Sequence, residues 1–282
     1  MTGIRGGGAQ RPEPDTCIDA ADRGLHYGDG LFETIAVHKG IPVLLDDHLQ
    51  RLDEGCRRLA IPLAGRDRLR ARLVTHAASL KHGVLKLIVT RGTGGRGYRP
   101  PADPHPSRLI SHHPFPDYPE VWWRDGVRAR WCATRLGRNP ALAGLKHLNR
   151  LEQVIARAEW SEDDIAEGLM RDSTGQVVEG TLSNLFVLDG QRLRTPPVDA
   201  CGVAGVMRAR LPALAARFGF EVQITPLDPT DLQRADALLL SNSLIGLWPV
   251  AELDGRRYAP RAFPRALIAA ARALARGGEG AR

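Results

Sequence analysis

The sequence predicts an α+β fold of two lobes, and three observations carry that reading. Hydrophobic residues make up 43% and charged residues 25% of the 282-residue chain, close to the globular average and enough for a substantial core. Stretches with the two-residue apolar period of strands alternate irregularly with stretches at helical spacing, and no internal repeat is present. Finally, prolines crowd the segment from Pro100 to Pro119, which marks a break between a smaller N-terminal and a larger C-terminal lobe. The expected organisation is a disordered Gly/Arg/Pro-rich leader over 1–15 and a small α/β domain over 16–113. An interdomain loop over 114–120 and a larger domain over 121–282 complete it.

The elements follow in order. Phe32 to Val37 reads as a strand, His38-Lys39-Gly40 as its turn and Ile41 to Leu45 as the return. A helix is expected from about Asp46, where Leu49, Leu52, Cys56 and Leu59 recur at helical spacing beside a row of His48, Arg51 and Gly55. A second helix covers Asp67 to Leu80. The β-rich run Val84 to Thr90 then enters a glycine loop, Arg91 to Tyr98, and Leu109-Ile110 reads as a short strand within the proline-rich stretch. The second lobe opens with a strand near Val127 to Thr134 and a loop ending at Lys146. Asn149 with Glu152 three residues on has the spacing of a capping box, and Leu151, Val154, Ile155 and Ala158 form the apolar face of the helix it would start. Strands are expected at Gly168–Arg171, Gln176–Thr181 and Asn184–Leu188, with turns at Thr174-Gly175 and Asp189-Gly190. A helix from Gly205 should be kinked or split by Pro212. Strands near Glu221–Ile224 and Ala237–Leu240, a hairpin turning at Asp254-Gly255 and a helix over Pro264–Ala275 close the chain.

Composition excludes several function classes. No apolar run reaches the roughly 18 residues of a membrane span, and the N-terminus lacks the apolar stretch of a signal peptide. The four cysteines (Cys17, Cys56, Cys132, Cys201) form no CxxC pair, so free thiols in a reducing cytoplasm are the simplest expectation. The net charge of +7 is dispersed among interleaved acids, with no polybasic block, which disfavours a nucleic-acid partner. The run Gly92 to Gly97 matches GxGxxG, but Arg99-Pro100-Pro101 forbids the helix that a dinucleotide site needs. His105, His112 and His113 match no standard metal-ligand spacing, and no GxSxG, HExxH or GxxxxGK[ST] motif is present.

The basic residues are the informative feature. Of 39, only four are lysines (Lys39, Lys81, Lys86, Lys146). An amine can lose its proton and attack a carbonyl, whereas a guanidinium stays charged, so a lysine kept in an arginine-rich chain is a candidate Schiff-base residue.

Around Lys146 the segment Leu136-Gly-Arg-Asn-Pro-Ala-Leu-Ala-Gly-Leu-Lys-His-Leu-Asn-Arg-Leu-Glu-Gln-Val closely resembles the aminodeoxychorismate lyases. These belong to the fold-type IV pyridoxal-phosphate family, with the D-amino-acid and branched-chain aminotransferases. Further blocks resemble that family in the same order: Asp22 to Thr34, His48 to Leu52, Glu179 to Phe186, and Gly202 to Arg208. The resemblance implies a β-barrel-like larger lobe, a pyridoxal 5'-phosphate cofactor, a homodimer, and elimination of pyruvate from aminodeoxychorismate to give 4-aminobenzoate. An aminotransferase on the same scaffold is the alternative.

The resemblance also implies roles. Lys146 would hold the cofactor and act as the base, and Glu179 would hold the pyridine nitrogen protonated. Arg51, the start of a helix at Gly205, Val206 and Met207, and Ser243 would receive the phosphate. Arg96 and Tyr98 stand where the D-amino-acid enzymes bind the substrate carboxylate, although those carry a histidine at the second position. Tyr27 and Asp29 would line the substrate side. Branched-chain enzymes carry a tyrosine shortly after the lysine; this chain reads His147-Leu148-Asn149-Arg150 instead.

Overall fold

The computed structural model describes residues 18–278, so the expected leader lies outside the described residues. The first half contains α1 (Arg23–Tyr27), β1 (Gly30–His38), β2 (Ile41–Pro42), α2 (Leu45–Arg58), α3 (Arg66–Leu80), β3 (Gly83–Thr90) and β4 (Arg108–His113). The four strands form one antiparallel sheet in the order β2-β1-β3-β4. Helices α2 and α3 cover it, and Leu49, Leu52, Leu69 and Leu73 pack against Leu31, Ile35, Leu85 and Leu87 in a dry core. Gly55 lets α2 lie close on β1, since a Cβ there would stand 2.7 Å from a Leu31 methyl.

The second half contains α4 (Val121–Arg124), β5 (Val127–Leu136), α5 (Leu151–Arg157), β6 (Ile165–Asp172), β7 (Val177–Gly180), β8 (Asn184–Asp189) and β9 (Arg192–Thr195). It continues with α6 (Val206–Ala216), β10 (Glu221–Ile224), α7 (Pro229–Arg234), β11 (Ala237–Asn242), β12 (Gly246–Leu253), β13 (Arg256–Arg257) and α8 (Arg265–Ala275). Strands pair in the order β8-β11-β12-β5-β6-β7, and β7 pairs back onto β8, which closes a six-stranded barrel. Closure pairs β7 on both sides, and every residue of β7 is buried, Glu179 included. Helices α6 and α8 seal the barrel through Leu211, Leu214, Leu267 and Ile268, which meet Phe186, Leu239 and Trp248.

Several local expectations change. Proline 212 does not split its helix: α6 runs unbroken through it, because burial of Val206, Met207, Leu211, Leu214 and Ala215 outweighs one missing backbone bond. The capping box expected at Asn149 and Glu152 does not form, since both side chains have tertiary partners. The Asn149 amide donates to Gly28 O at 3.1 Å, and the Glu152 carboxylate accepts from Gly137 N at 2.8 Å. The face of α5 expected to be buried is instead exposed at Leu151, Val154 and Ile155. The short strand expected at Leu109-Ile110 is longer, running as β4 to His113. Helices α1, α4 and α7 and strand β9 were not foreseen, being four to six residues long and too short to display a period.

Candidate active site

Lys146 sits where the two sheets meet, and its backbone is sewn to both sides. Phe32 N donates to Lys146 O at 3.0 Å and Leu148 N to Gly30 O at 3.0 Å, which ties the segment to β1. Gly144 N donates to Gly202 O at 2.9 Å and Ala204 N to Gly144 O at 3.0 Å, which ties it to the segment before α6. The Lys146 amine lies 4.4 Å from the centre of the Phe32 ring. Burial, reinforced by the like charge of Arg51, pulls its pKa down to about 8.

Glu179 lines the same cavity, and its Oε2 accepts from Val203 N at 2.9 Å and Asn184 Nδ2 at 3.2 Å. Burial pushes this carboxyl up to about 7, against the pull of the Val203 amide and the Arg150 and Lys146 charges. A base and an acid thus share one water-poor space with both pKa values displaced toward neutrality, the condition for proton transfer near pH 7.

Arg51 reaches the cavity from α2 and is held by a buried carboxylate. Its Nε donates to Glu33 Oε1 at 2.8 Å, a second nitrogen donates to Glu33 Oε2, and NH1 donates to Ala204 O at 3.1 Å. Burial opposes ionisation of Glu33, but the Arg51 charge and the His48 hydrogen bond bring it down to about 2. With Glu33 ionised, His48 Nδ1–H donates to Oε2 at 2.6 Å. Asp47, one turn earlier on α2, makes a bidentate pair with Arg210 of α6 at 2.8 and 2.7 Å. The two lobes are therefore clamped on either side of Arg51.

The start of α6 also faces this space. Gly205 and Val206 line the cavity, and the helix has no side-chain cap. A Cβ at Gly205 would meet the Asn184 amide oxygen at 2.0 Å, so only glycine brings the chain this close. Ser243 lines the cavity as well, its hydroxyl donating to Thr34 O at 3.1 Å. Another buried acid, Glu167, holds the far wall. It accepts from Thr181 N at 2.9 Å, Leu182 N at 3.2 Å and Ser183 Oγ at 2.6 Å, fastening the turn that follows Glu179.

The structure thus brings Arg51, Lys146, Glu179, Gly205, Val206 and Ser243 around one cavity of about 350 Å³. Met207 is fully buried in the core beneath and does not line it. Nor do the four expected substrate residues line it within this one chain. Tyr98 is 84% exposed and meets Tyr27 edge-on at 5.4 Å. Arg96 sits on the same exposed loop.

Within this chain Asp29 is engaged by two arginines. It accepts from Arg23 Nε at 2.8 Å and from Arg91 Nε and NH2 at 2.8 and 3.0 Å. Arg23 in turn donates to the carbonyls of Gly97, Tyr98 and Arg99 at 3.1, 2.9 and 3.4 Å, so Asp29 anchors the loop that carries Arg96 and Tyr98. Asp29→Ala leaves two buried guanidiniums without a counter-ion. It should cost about 3–5 kcal/mol of stability, read from the urea midpoint.

Sequence reasoning missed Glu33, Thr34, Tyr118, Arg150, Gln153, Glu167 and Asn184, which line or brace the cavity. Glu33 and Glu167 did carry a signal. Each is an acid inside a run that folds as a buried strand, and such an acid needs donors. Among the described residues no group of three or more His, Cys, Asp or Glu could hold a metal ion, and no helix is long and apolar enough to cross a membrane.

Comparison with known proteins adds a second line of evidence. The amino-transferase class IV family matches residues 30–253. An aminodeoxychorismate lyase of Vibrio harveyi is 35% identical over 241 residues, covering 86% of this chain and 89% of that protein. A putative branched-chain-amino-acid aminotransferase of Methanocaldococcus jannaschii is 34% identical over 251 residues, covering 86% and 85%. Among solved structures, the 4-amino-4-deoxychorismate lyase of Pseudomonas aeruginosa is 53% identical with a TM-score of 0.84, covering 87% of this chain and 90% of that one. A hypothetical aminotransferase from Mycobacterium tuberculosis in a PLP-bound form is 26% identical with a TM-score of 0.79, covering 93% and 95%.

Proposed function

The chain belongs to the amino-transferase class IV family, and from that premise we propose that it is a 4-amino-4-deoxychorismate lyase. On this reading it releases pyruvate and 4-aminobenzoate, the latter for folate synthesis. The observation that carries the reading is the 53% identity to the Pseudomonas lyase over nearly the whole of both chains. The site residues are consistent with it.

The cofactor of this reading is pyridoxal 5'-phosphate, and the cavity suits it. A buried amine of lowered pKa lies in the same space as a buried carboxyl, beside an arginine and an uncapped helix start where only glycine fits. Lys146 would hold the aldehyde, Glu179 the ring nitrogen, and Arg51, the Gly205–Val206 amides and Ser243 the phosphate. When bound, the cofactor supplies an electron-withdrawing ring beside the substrate's nitrogen-bearing carbon.

The remaining work falls to the protein. Lys146 Nζ, released when the substrate amine arrives, takes the proton from that carbon, and its low pKa keeps a usable fraction free. Glu179 would keep a proton on the ring nitrogen by facing it as a carboxylate, with its Oε2 already held by the Val203 amide and the Asn184 side chain. The Phe32 ring beside Lys146 and the turn held by Glu167 wall the space in which Lys146 would act. Breaking the bond from the substrate ring to the enolpyruvyl oxygen would release the enolate of pyruvate, which takes up a proton, and would leave the substrate ring aromatic, which draws the reaction forward.

The protein acts in the cytoplasm as a homodimer. Three buried free thiols, each pushed up to about 12 by burial, suit a reducing compartment. A second copy suits the apolar surface of α1 and α5, where Leu25, Leu151, Val154 and Ile155 are between 57% and 74% exposed. The Arg96–Tyr98 loop would then serve the partner's cavity. Light scattering should give twice the 30.8 kDa of one chain, and Leu151→Asp with Val154→Asp should halve that mass.

Incubation with aminodeoxychorismate, without a keto acid, tests the function: continuous release of 4-aminobenzoate is expected. The 34% identity to the Methanocaldococcus protein favours an aminotransferase as the second reading. Amination of the cofactor by D-alanine, D-glutamate or L-leucine, with no 4-aminobenzoate formed, would establish that reading instead.

A further inference from the structure

We propose that Arg150 and Gln153 form a carboxylate-binding subsite in the wall of the Lys146 cavity, which takes a carboxylate of the substrate; this rests on the lyase reading. Both residues line that cavity and also a second one of about 360 Å³ beyond it, so they stand in the partition between the two.

Arg150 is fixed to the lysine's own segment. Its Nε donates to His147 O at 2.9 Å and its NH2 to Leu145 O at 3.2 Å, the two carbonyls that flank Lys146. These bonds hold the guanidinium in place and leave NH1 without a hydrogen bond among the described residues. No carboxylate there lies within ion-pair distance of it.

The other cations of the cavity are committed. On the same reading Arg51, oriented by Glu33, is taken by the phosphate, and Lys146 is reserved for chemistry. A half-buried guanidinium that has no direct ion pair, only the more distant charges of Glu179 and Glu152, favours the arrival of an anion.

Gln153 supplies an independent sign. Its Oε1 is buried and has no hydrogen-bond partner. The oxygen and nitrogen of a carboxamide exchange places by a half rotation, so the same position can present an N–H. A guanidinium and a carboxamide in one wall then offer donors to both oxygens of a planar carboxylate. Aminodeoxychorismate carries two carboxylates, one on the ring and one on the departing enolpyruvyl group, and either can occupy the subsite.

The test compares the holoenzyme with Arg150→Gln, Arg150→Lys and Gln153→Leu. Three quantities are read: KM and kcat for aminodeoxychorismate, the inhibition constant of isophthalate, and the affinity and absorbance of the cofactor without substrate. Loss of a charge-assisted hydrogen bond should raise both KM and the isophthalate constant about tenfold in Arg150→Gln. Gln153→Leu should raise them about threefold, and Arg150→Lys, which keeps the charge, should recover part of the loss. The cofactor readings should stay unchanged in Gln153→Leu, which removes no charge, while in the Arg150 variants cofactor affinity should change far less than KM and the isophthalate constant, because the Arg150 charge also acts on Lys146 and Glu179. Unchanged KM and isophthalate constants overturn the proposal, and so does an effect confined to cofactor affinity or absorbance. If the unaltered enzyme releases no 4-aminobenzoate, the lyase reading fails by itself, while isophthalate binding still reports on the subsite.

Discussion

Replacing Lys146 with alanine is expected to lower turnover on the order of 10⁴-fold while the protein still folds and takes up cofactor without a covalent link. On the proposed reading two functions are lost together, because the amine that would hold the cofactor would also be the base that moves the substrate proton. Borohydride should fix the cofactor on the peptide containing Lys146 in the unaltered protein and on none in the variant; labelling of Lys39, Lys81 or Lys86 would overturn the assignment. A pH dependence follows from the amine pKa of about 8. The free amine is the reactive form, so the rate at which cofactor-free protein captures an aldehyde should climb with pH and level off above 8. An unperturbed lysine would keep climbing toward about 10.4. At pH 7.5 about a quarter of Lys146 carries a free amine, against about one in a thousand for such a lysine.

Glu179→Gln should slow turnover roughly 10²- to 10³-fold, the range for losing one electrostatic partner in a water-excluded site. Glutamine keeps the shape, and the Val203 amide and the Asn184 side chain can still bond its oxygen, so the fold should survive. What it cannot do is keep the ring nitrogen protonated. The loss should appear in the proton-removal step, with cofactor binding changed far less. Near-normal turnover in this variant would mean that the carboxylate in β7 has no part in the chemistry.

Both variants act on residues that the sequence pointed to, for different reasons. Lys146 stood out because four lysines among 39 basic residues suggest selection for an amine, and because the block around it resembles a known family. Glu179 was suspected because an acid in a strand needs a partner. Its degree of burial comes from barrel closure, a pairing of β7 with β8 that no local pattern announces. The Asn149–Glu152 spacing suggested a cap, and tertiary partners at Gly28 and Gly137 took both side chains. Short-range spacing describes only what is available to a side chain, and the lowest-energy partner can lie over a hundred residues away.

The same distinction runs through the site. Sequence by itself determined the α+β class and the elements long enough to show a period, and it pointed to the chemistry-bearing residues of each block, since these depend on neighbours along the chain. Only the tertiary structure decided which of them share a cavity. It set Arg51 and His48 on Glu33, paired Asp29 with Arg23 and Arg91, and left Arg150 without a direct ion pair beside Lys146. Burial and the distance between charges set those pKa values and pairings, and both come from packing residues that are remote in sequence.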